Sequence, residues 1–119
     1  MTEANLTLLH GDTYLERYTI LRDDAAADLT GCTLKAMVKV DSMTADAAAL
    51  LTLTVGSGLT VVDALAGIVD LEISAAQSAA LSASKSYVWD LQVKEPGGRI
   101  FTAAGGTLML THDVVLATS

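Results

Sequence analysis

Two histidines, one cysteine and a few carboxylates are the residues whose types could do chemistry in this chain. A serine-type triad needs a nucleophile, a base and an orienting acid brought together. His10 stands alone, and His112 and Asp113 are sequence neighbours, which on a strand point to opposite faces. No Gly-x-Ser-x-Gly elbow occurs, and Gly56-Ser57-Gly58 reads as a turn. The single Cys32 excludes an intrachain disulfide and any Cys-based zinc cluster, and it reads as a small core residue opening a strand. Asp23, Asp24 and Asp28 lie close together, but calcium wants six or more oxygens on a defined loop, and the spacing Asp-x-Asp-x-Asp-Gly is absent. Gly97-Gly98 and Gly105-Gly106 are followed by neither a helix N-terminus nor Lys-Ser/Thr, so they are not phosphate cradles. Asp70 and Glu72 share what should be the wet side of a strand. No residue is assigned a catalytic, cofactor-binding or metal-binding role. The expectation is a protein that is not an enzyme and carries no cofactor.

The elements that would position any site are strands. From Tyr87 to Lys94 the chain alternates with period two: Tyr87, Trp89, Leu91 and Val93 share one face, and Asp90, Gln92 and Lys94 share the other with Val88. Glu95-Pro96-Gly97-Gly98 breaks that strand, because Pro fixes φ and the glycines allow φ > 0. Arg99 to Thr102 resumes an extended pattern, Gly105-Gly106 marks a second break, and Thr107 to Thr111 is a third apolar run. These predict a three-stranded meander closing the fold, with the chain's one Trp at its centre.

Upstream, Asn5 to His10 is a short strand, Gly11-Asp12 a turn, and Thr13 to Arg22 a second strand whose inward face is ambiguous, since Tyr14, Glu16, Tyr18 and Ile20 alternate with Leu15, Arg17, Thr19 and Leu21. Asp23 to Asp28 reads as a polar loop. The next strand buries Leu34, Ala36, Val38 and Val40 and turns Lys35 and Lys39 outward, with Met37 between them. Asp41 to Ala49 is a loop of crossing length with room for a helical turn at Ala45 to Ala49. Leu50 to Val55, Leu59 to Val62 and Ile68 to Ile73 are further strands. Ser74 can cap a two-turn helix near residues 75–82, with Gln77 at the capping-box position and Ala76, Ala80 and Leu81 on one face. So short a helix must pack on the sheet. Strands recurring every 8–12 residues predict an all-β sandwich or small barrel of about eight or nine strands.

Composition sets the limits. A chain of 119 residues suits one domain, residues 1–119, able to bury roughly two-thirds of its unfolded surface. Aromatics are only 4%, so the core should be aliphatic, built on Trp89, Tyr87, Leu91, Val93, Leu34 and Val38. No apolar run approaches the roughly 18 residues of a membrane span, and the N-terminus lacks a signal-peptide pattern. The net charge of −7 repels phosphate backbones, and the seven basic residues look scattered rather than striped, so neither nucleic acid nor membrane is expected as a partner. An apolar run, Val114-Val115-Leu116, follows the core motifs; the segment 113–119 could serve as an assembly arm.

Several segments, taken in order, resemble a family of small phage and prophage proteins related to the N-terminal domain of the phage baseplate upper protein. They are Gly11-Asp12-Thr13-Tyr14; Asp28-Leu29-Thr30-Gly31-Cys32-Thr33-Leu34; Ala66-Gly67-Ile68-Val69; Leu71 to Leu81; Tyr87 to Val93; Gly97-Gly98-Arg99-Ile100-Phe101-Thr102; and Gly106 to Leu110 with Asp113. Together they span about residues 10–115. Where the family has Asp-Gly-x-Pro between strands, this chain has Asp24-Ala25-Ala26-Ala27. The resemblance implies an immunoglobulin-like antiparallel β-sandwich used as a non-enzymatic virion component. It would sit on the tail or baseplate, or attach a fibre. Its partners would be other phage structural proteins and copies of itself. A capsid decoration protein is the alternative in that class, and a carbohydrate-binding sandwich the alternative outside it.

Overall fold

The computed structural model describes residues 2–41, 43, 48–81 and 86–111. Among them the protein is all-β apart from one six-residue helix. Eleven strands follow in order: β1 (Thr2–Glu3), β2 (Leu6–Leu9), β3 (Tyr14–Thr19), β4 (Leu21–Arg22), β5 (Ala25–Ala26), β6 (Thr33–Lys39), β7 (Leu51–Val55), β8 (Gly58–Asp63), β9 (Ile68–Ile73), then α1 (Ala75–Ala80), β10 (Ser86–Lys94) and β11 (Ile100–Thr111).

The strands form a continuous hydrogen-bonded path, β1-β11-β10-β6-β7-β8-β9-β3, with β2 continuing the β1 edge along β11. Pairing is antiparallel except where β1 and β2 meet β11 and where β7 meets β8. The path folds over on itself. Tyr18, on β3 at one end, lies 5.9 Å from the ring of Trp89, on β10 near the other end. The inward residues of both arms therefore belong to one core: Leu34, Ala36 and Val38 from β6, Val69, Leu71 and Ile73 from β9, and Tyr87, Trp89, Leu91 and Val93 from β10. Polar and apolar positions alternate along β6, β9 and β10 as a half-buried pleat requires. Val40 falls past the end of β6 and is exposed, so the inward row stops at Val38.

Several expectations are corrected. The closing meander has two strands rather than three, because β11 runs unbroken through Gly105-Gly106. These glycines mark a close approach and not a turn: a Cβ on Gly106 would stand 2.6 Å from Asn5 Oδ1 and 2.7 Å from the Ala4 carbonyl oxygen. The N-terminal strands pack against that bare backbone. A bulge at Ala103 shifts the β10–β11 register between Leu91 and Gln92 and lets the long strand bend.

The loop expected at residues 23–28 is in part a hairpin, β4 paired with β5. Asp23 and Asp24 adopt φ of 53° and 64°, the left-handed conformation that short carboxyl side chains tolerate in two-residue hairpin turns. The strand expected over Thr13–Arg22 is accordingly broken at Ile20, whose N–H donates to the Gly67 carbonyl. Gly67 itself has φ +71°, and a Cβ there would meet the Ile20 and Ala27 carbonyls at 2.8 and 2.9 Å.

The helix has the expected capping box: Ser74 Oγ accepts from the Gln77 N–H, and Gln77 Oε1 accepts from the Ser74 N–H. Its buried face differs from expectation. Ala76 and Ala80 are exposed, while Ser78 and the capping Leu81 are buried.

Candidate interaction faces

The residues considered for chemistry take structural positions. His10 Nε2 lies 3.1 Å from the Ala79 carbonyl, tying the β2 end to the helix. Beside it the fully buried Ser78 hydroxyl accepts from the Gly11 N–H at 3.0 Å and donates to the Asp12 carbonyl at 2.8 Å. A serine in a row of alanines gave no signal in the sequence, yet it is the polar pin between helix and turn. Asp28 Oδ1 accepts from the Thr30 N–H, and the Thr30 hydrogen bonds hold its carboxyl below the usual carboxylate range. Cys32 is half-buried at the start of β6, and burial pushes its thiol above the ordinary value. Ser57 sits in the tight connection of β7 to β8, its N–H donating to the Thr54 carbonyl. Among the described residues no three His, Cys, Asp or Glu side chains are grouped to hold a metal ion. His112, Asp113 and the run Val114-Val115-Leu116 lie outside the described residues.

Trp89 is 4% exposed, and its indole N–H donates to the Ala4 carbonyl at 2.8 Å. Tyr87, Leu91, Val93, Leu34 and Val38 are buried with it. The aromatic surface of the main sheet therefore faces inward, with Tyr14 and Tyr18 partly buried against the core. Burial pushes the hydroxyls of both tyrosines up from their ordinary value.

What remains available to a partner is the outside of the folded sheet. On the β6–β10–β11 arm the register places Lys35 beside Gln92, Met37 beside Asp90, Lys39 beside Val88 and Thr33 beside Lys94. Thr33, Lys35, Met37, Lys39, Asp90, Gln92, Lys94 and Ile100 line a shallow depression of about 180 Å³. Three of the chain's seven basic residues thus share one face, with Asp90 the one carboxylate among its lining residues. The scatter seen along the sequence is a cluster in space. The clue was available: each lysine occupies an outward position of a strand, and two such strands that pair bring their outward rows together.

The outside of the other arm is different. Leu15, Thr60, Asp70 and Glu72 line a depression of about 240 Å³ that Gly56 and Gly58 complete. Arg17, across the β3–β9 pair, grips Asp70 with two hydrogen bonds of 2.7 and 3.1 Å, which holds the Asp70 carboxyl below its usual range. Glu72 has no ion-pair partner among the described residues. Among the described residues, β9 is the one strand that pairs with β3.

The fold is shared with a phage protein domain. The chain is similar to the N-terminal domain of phage TP901-1 ORF48, with a TM-score of 0.59 and 14% sequence identity. The match covers 93% of this chain and 99% of that one. No protein-family model and no curated protein matches the sequence. At this identity the likeness is one of fold.

Proposed function

We propose that the protein is a non-enzymatic structural component of a tailed-phage particle, specifically a tail, baseplate or fibre-attachment protein. The observation that carries this reading is the fold match, which takes in nearly the whole of both chains. The arrangement of polar residues supports it. His10, Ser78, Asp28 and Ser57 are engaged in turns and caps, and the surface left over is broad, shallow and mixed in charge. Such surfaces suit protein–protein contact better than small-molecule capture, which favours deep apolar pockets. Sugar binding would want exposed aromatic rings, and Trp89 and Tyr87 are buried.

The test is location and copy number in the virion. Tens of copies or fewer per particle, lost with detached tails, are expected; hundreds of copies on emptied heads would instead make the protein a capsid decoration. Blue-shifted Trp89 emission that ignores added glycans is the matching result in solution, and a glycan-dependent shift would revive the sugar-binding alternative. Truncation after Thr111 examines the terminal arm: loss of particle incorporation with an unchanged fold is expected if Val114-Val115-Leu116 docks on a neighbour.

A further inference from the structure

We infer that copies of this protein associate face to back, the lysine-bearing outer face of one copy resting on the carboxylate-bearing outer face of the next. The inference rests on the building-block reading above and names the first partner of these two faces.

The charge distribution favours this partner. The chain carries −7, so a patch with three lysines and one carboxylate among its lining residues is locally reversed in sign. Two of the other cations are already committed elsewhere, Arg17 to Asp70 and Arg22 to Glu95. On the opposite arm Asp70 and Glu72 point outward, and no cation lines their depression. Arg17 compensates Asp70 from the neighbouring strand, which leaves Glu72 as the carboxylate best placed for a second molecule. Complementary fields of this kind orient an encounter and select its register more than they supply affinity.

Shape and apolar content agree with the charges. Each depression holds an exposed aliphatic side chain, Ile100 on the lysine face and Leu15 on the carboxylate face, both 61% exposed. Paired, they would be removed from water between the flanking charges. The molecule measures 46 × 29 × 23 Å. The short dimension suits two sheet layers about 10 Å apart plus their side chains, so the outer faces are the broad ones. Such faces can supply the roughly 800 Å² per partner of a standard interface. The two faces belong to opposite arms, so the contact is heterologous and repeats from copy to copy. It closes into a ring or runs on as a stack, whichever the rotation between copies allows.

Sedimentation equilibrium of the full chain, from about 10 μM to about 1 mM, reads this contact over the affinity range expected of a weak, particle-templated interface. Concentration-dependent association of the wild type is expected. The decisive variant is Glu72→Gln. It removes one negative charge from a chain of −7, so general repulsion falls and non-specific association would strengthen. The face-to-back contact predicts the reverse, association weakened about tenfold, and a similar loss for Lys35→Gln/Lys94→Gln. All three side chains are solvent-exposed strand positions, and unchanged melting temperatures check that the variants fold. A wild type that stays monomeric at about 1 mM, or a Glu72→Gln protein that associates as well as or better than wild type, overturns the inference. Particle incorporation reports separately: a monomeric chain found on tails sinks the contact and keeps the building-block role, and an associating chain absent from particles does the opposite.

Discussion

Strands β10 and β3 both carry aromatic residues at alternate positions, and the two strands meet at the Tyr18–Trp89 ring pair. Their settings differ. β10 lies between β6 and β11, with hydrogen-bonded neighbours on both sides and a strict inward row of Tyr87, Trp89, Leu91 and Val93. Among the described residues β3 has β9 alone beside it, Tyr14 and Tyr18 are only half-buried, and Leu15 on its outer side is left in water. One pattern of alternation thus yields a structural centre in one arm and an open margin in the other. The difference comes from neighbours rather than from residue type. A central strand is dehydrated on one face along its whole length, whereas an edge strand keeps solvent on its outer side and along one margin.

The largest effect that would break this comparison is at Trp89. Trp89→Ala should lower unfolding stability by roughly 3–5 kcal/mol in denaturant titration, since it opens a cavity and strands the Ala4 carbonyl. Leu15→Ala, the same kind of truncation on β3, should change it by less than about 0.5 kcal/mol. A loss under about 1 kcal/mol at Trp89, or a larger loss at Leu15, would invert the roles of the two arms.

Next in size is Gly106→Ala. The added methyl meets the Ala4 carbonyl and Asn5 side chain, so roughly 1–3 kcal/mol should be lost as the N-terminal strands are displaced. Amide hydrogen exchange should speed up first at Ala4 and along β2. Unchanged protection there would mean that the β6–β10–β11 arm does not depend on that close approach.

Ser78→Ala probes the junction between the arms. It leaves the Gly11 N–H and the Asp12 carbonyl without their buried partner, and a cost of about 1–3 kcal/mol is expected. Ser78→Thr keeps the hydroxyl and adds a methyl in a fully buried place, so it should lose stability by crowding instead, with helix-region exchange less affected than in the alanine variant.

The smallest effect concerns pH and the outer carboxylates. Hydrogen bonds from Arg17 to Asp70 and from Thr30 to Asp28 lower both carboxyl pKa values in the folded protein. A lowered folded value means that the unfolded chain takes up protons first on acidification. The stabilisation is therefore complete above about pH 4 and fades as pH falls through the carboxylate range. Asp28 is exposed and Asp70 remains in part open to solvent, so the slope should be shallow. Asp28→Asn and Asp70→Asn together should flatten it in melts between about pH 5 and about pH 2. An identical slope in the double variant would assign acid sensitivity to other carboxylates.

Where a strand is covered on one face and flanked on both sides, its residues alone announced it. The rows Leu34-Ala36-Val38, Val69-Leu71-Ile73 and Tyr87-Trp89-Leu91-Val93 were legible as inward faces, and so was the Ser74–Gln77 capping box, because period-two burial and local capping depend on residues near in sequence. Tertiary structure decided what depends on distant partners. Gly105-Gly106 looked like a turn because glycine is the usual turn residue. Only the arrival of Ala4 and Asn5 from the far end of the chain makes them a close-packed stretch of strand. Asp23-Asp24 looked like loop because its hairpin depends on left-handed backbone that carboxyl side chains tolerate without advertising it. Ser78 looked like one more helix residue until the β2–β3 turn packed onto it. Lys35, Lys39 and Lys94 looked dispersed because strand pairing, absent from any linear reading, brings residues about 60 positions apart into adjacent rows. Local periodicity is set by covalent geometry and can be read along the chain; a face is set by which strands lie side by side, and that is settled only when the sheet has folded over its core.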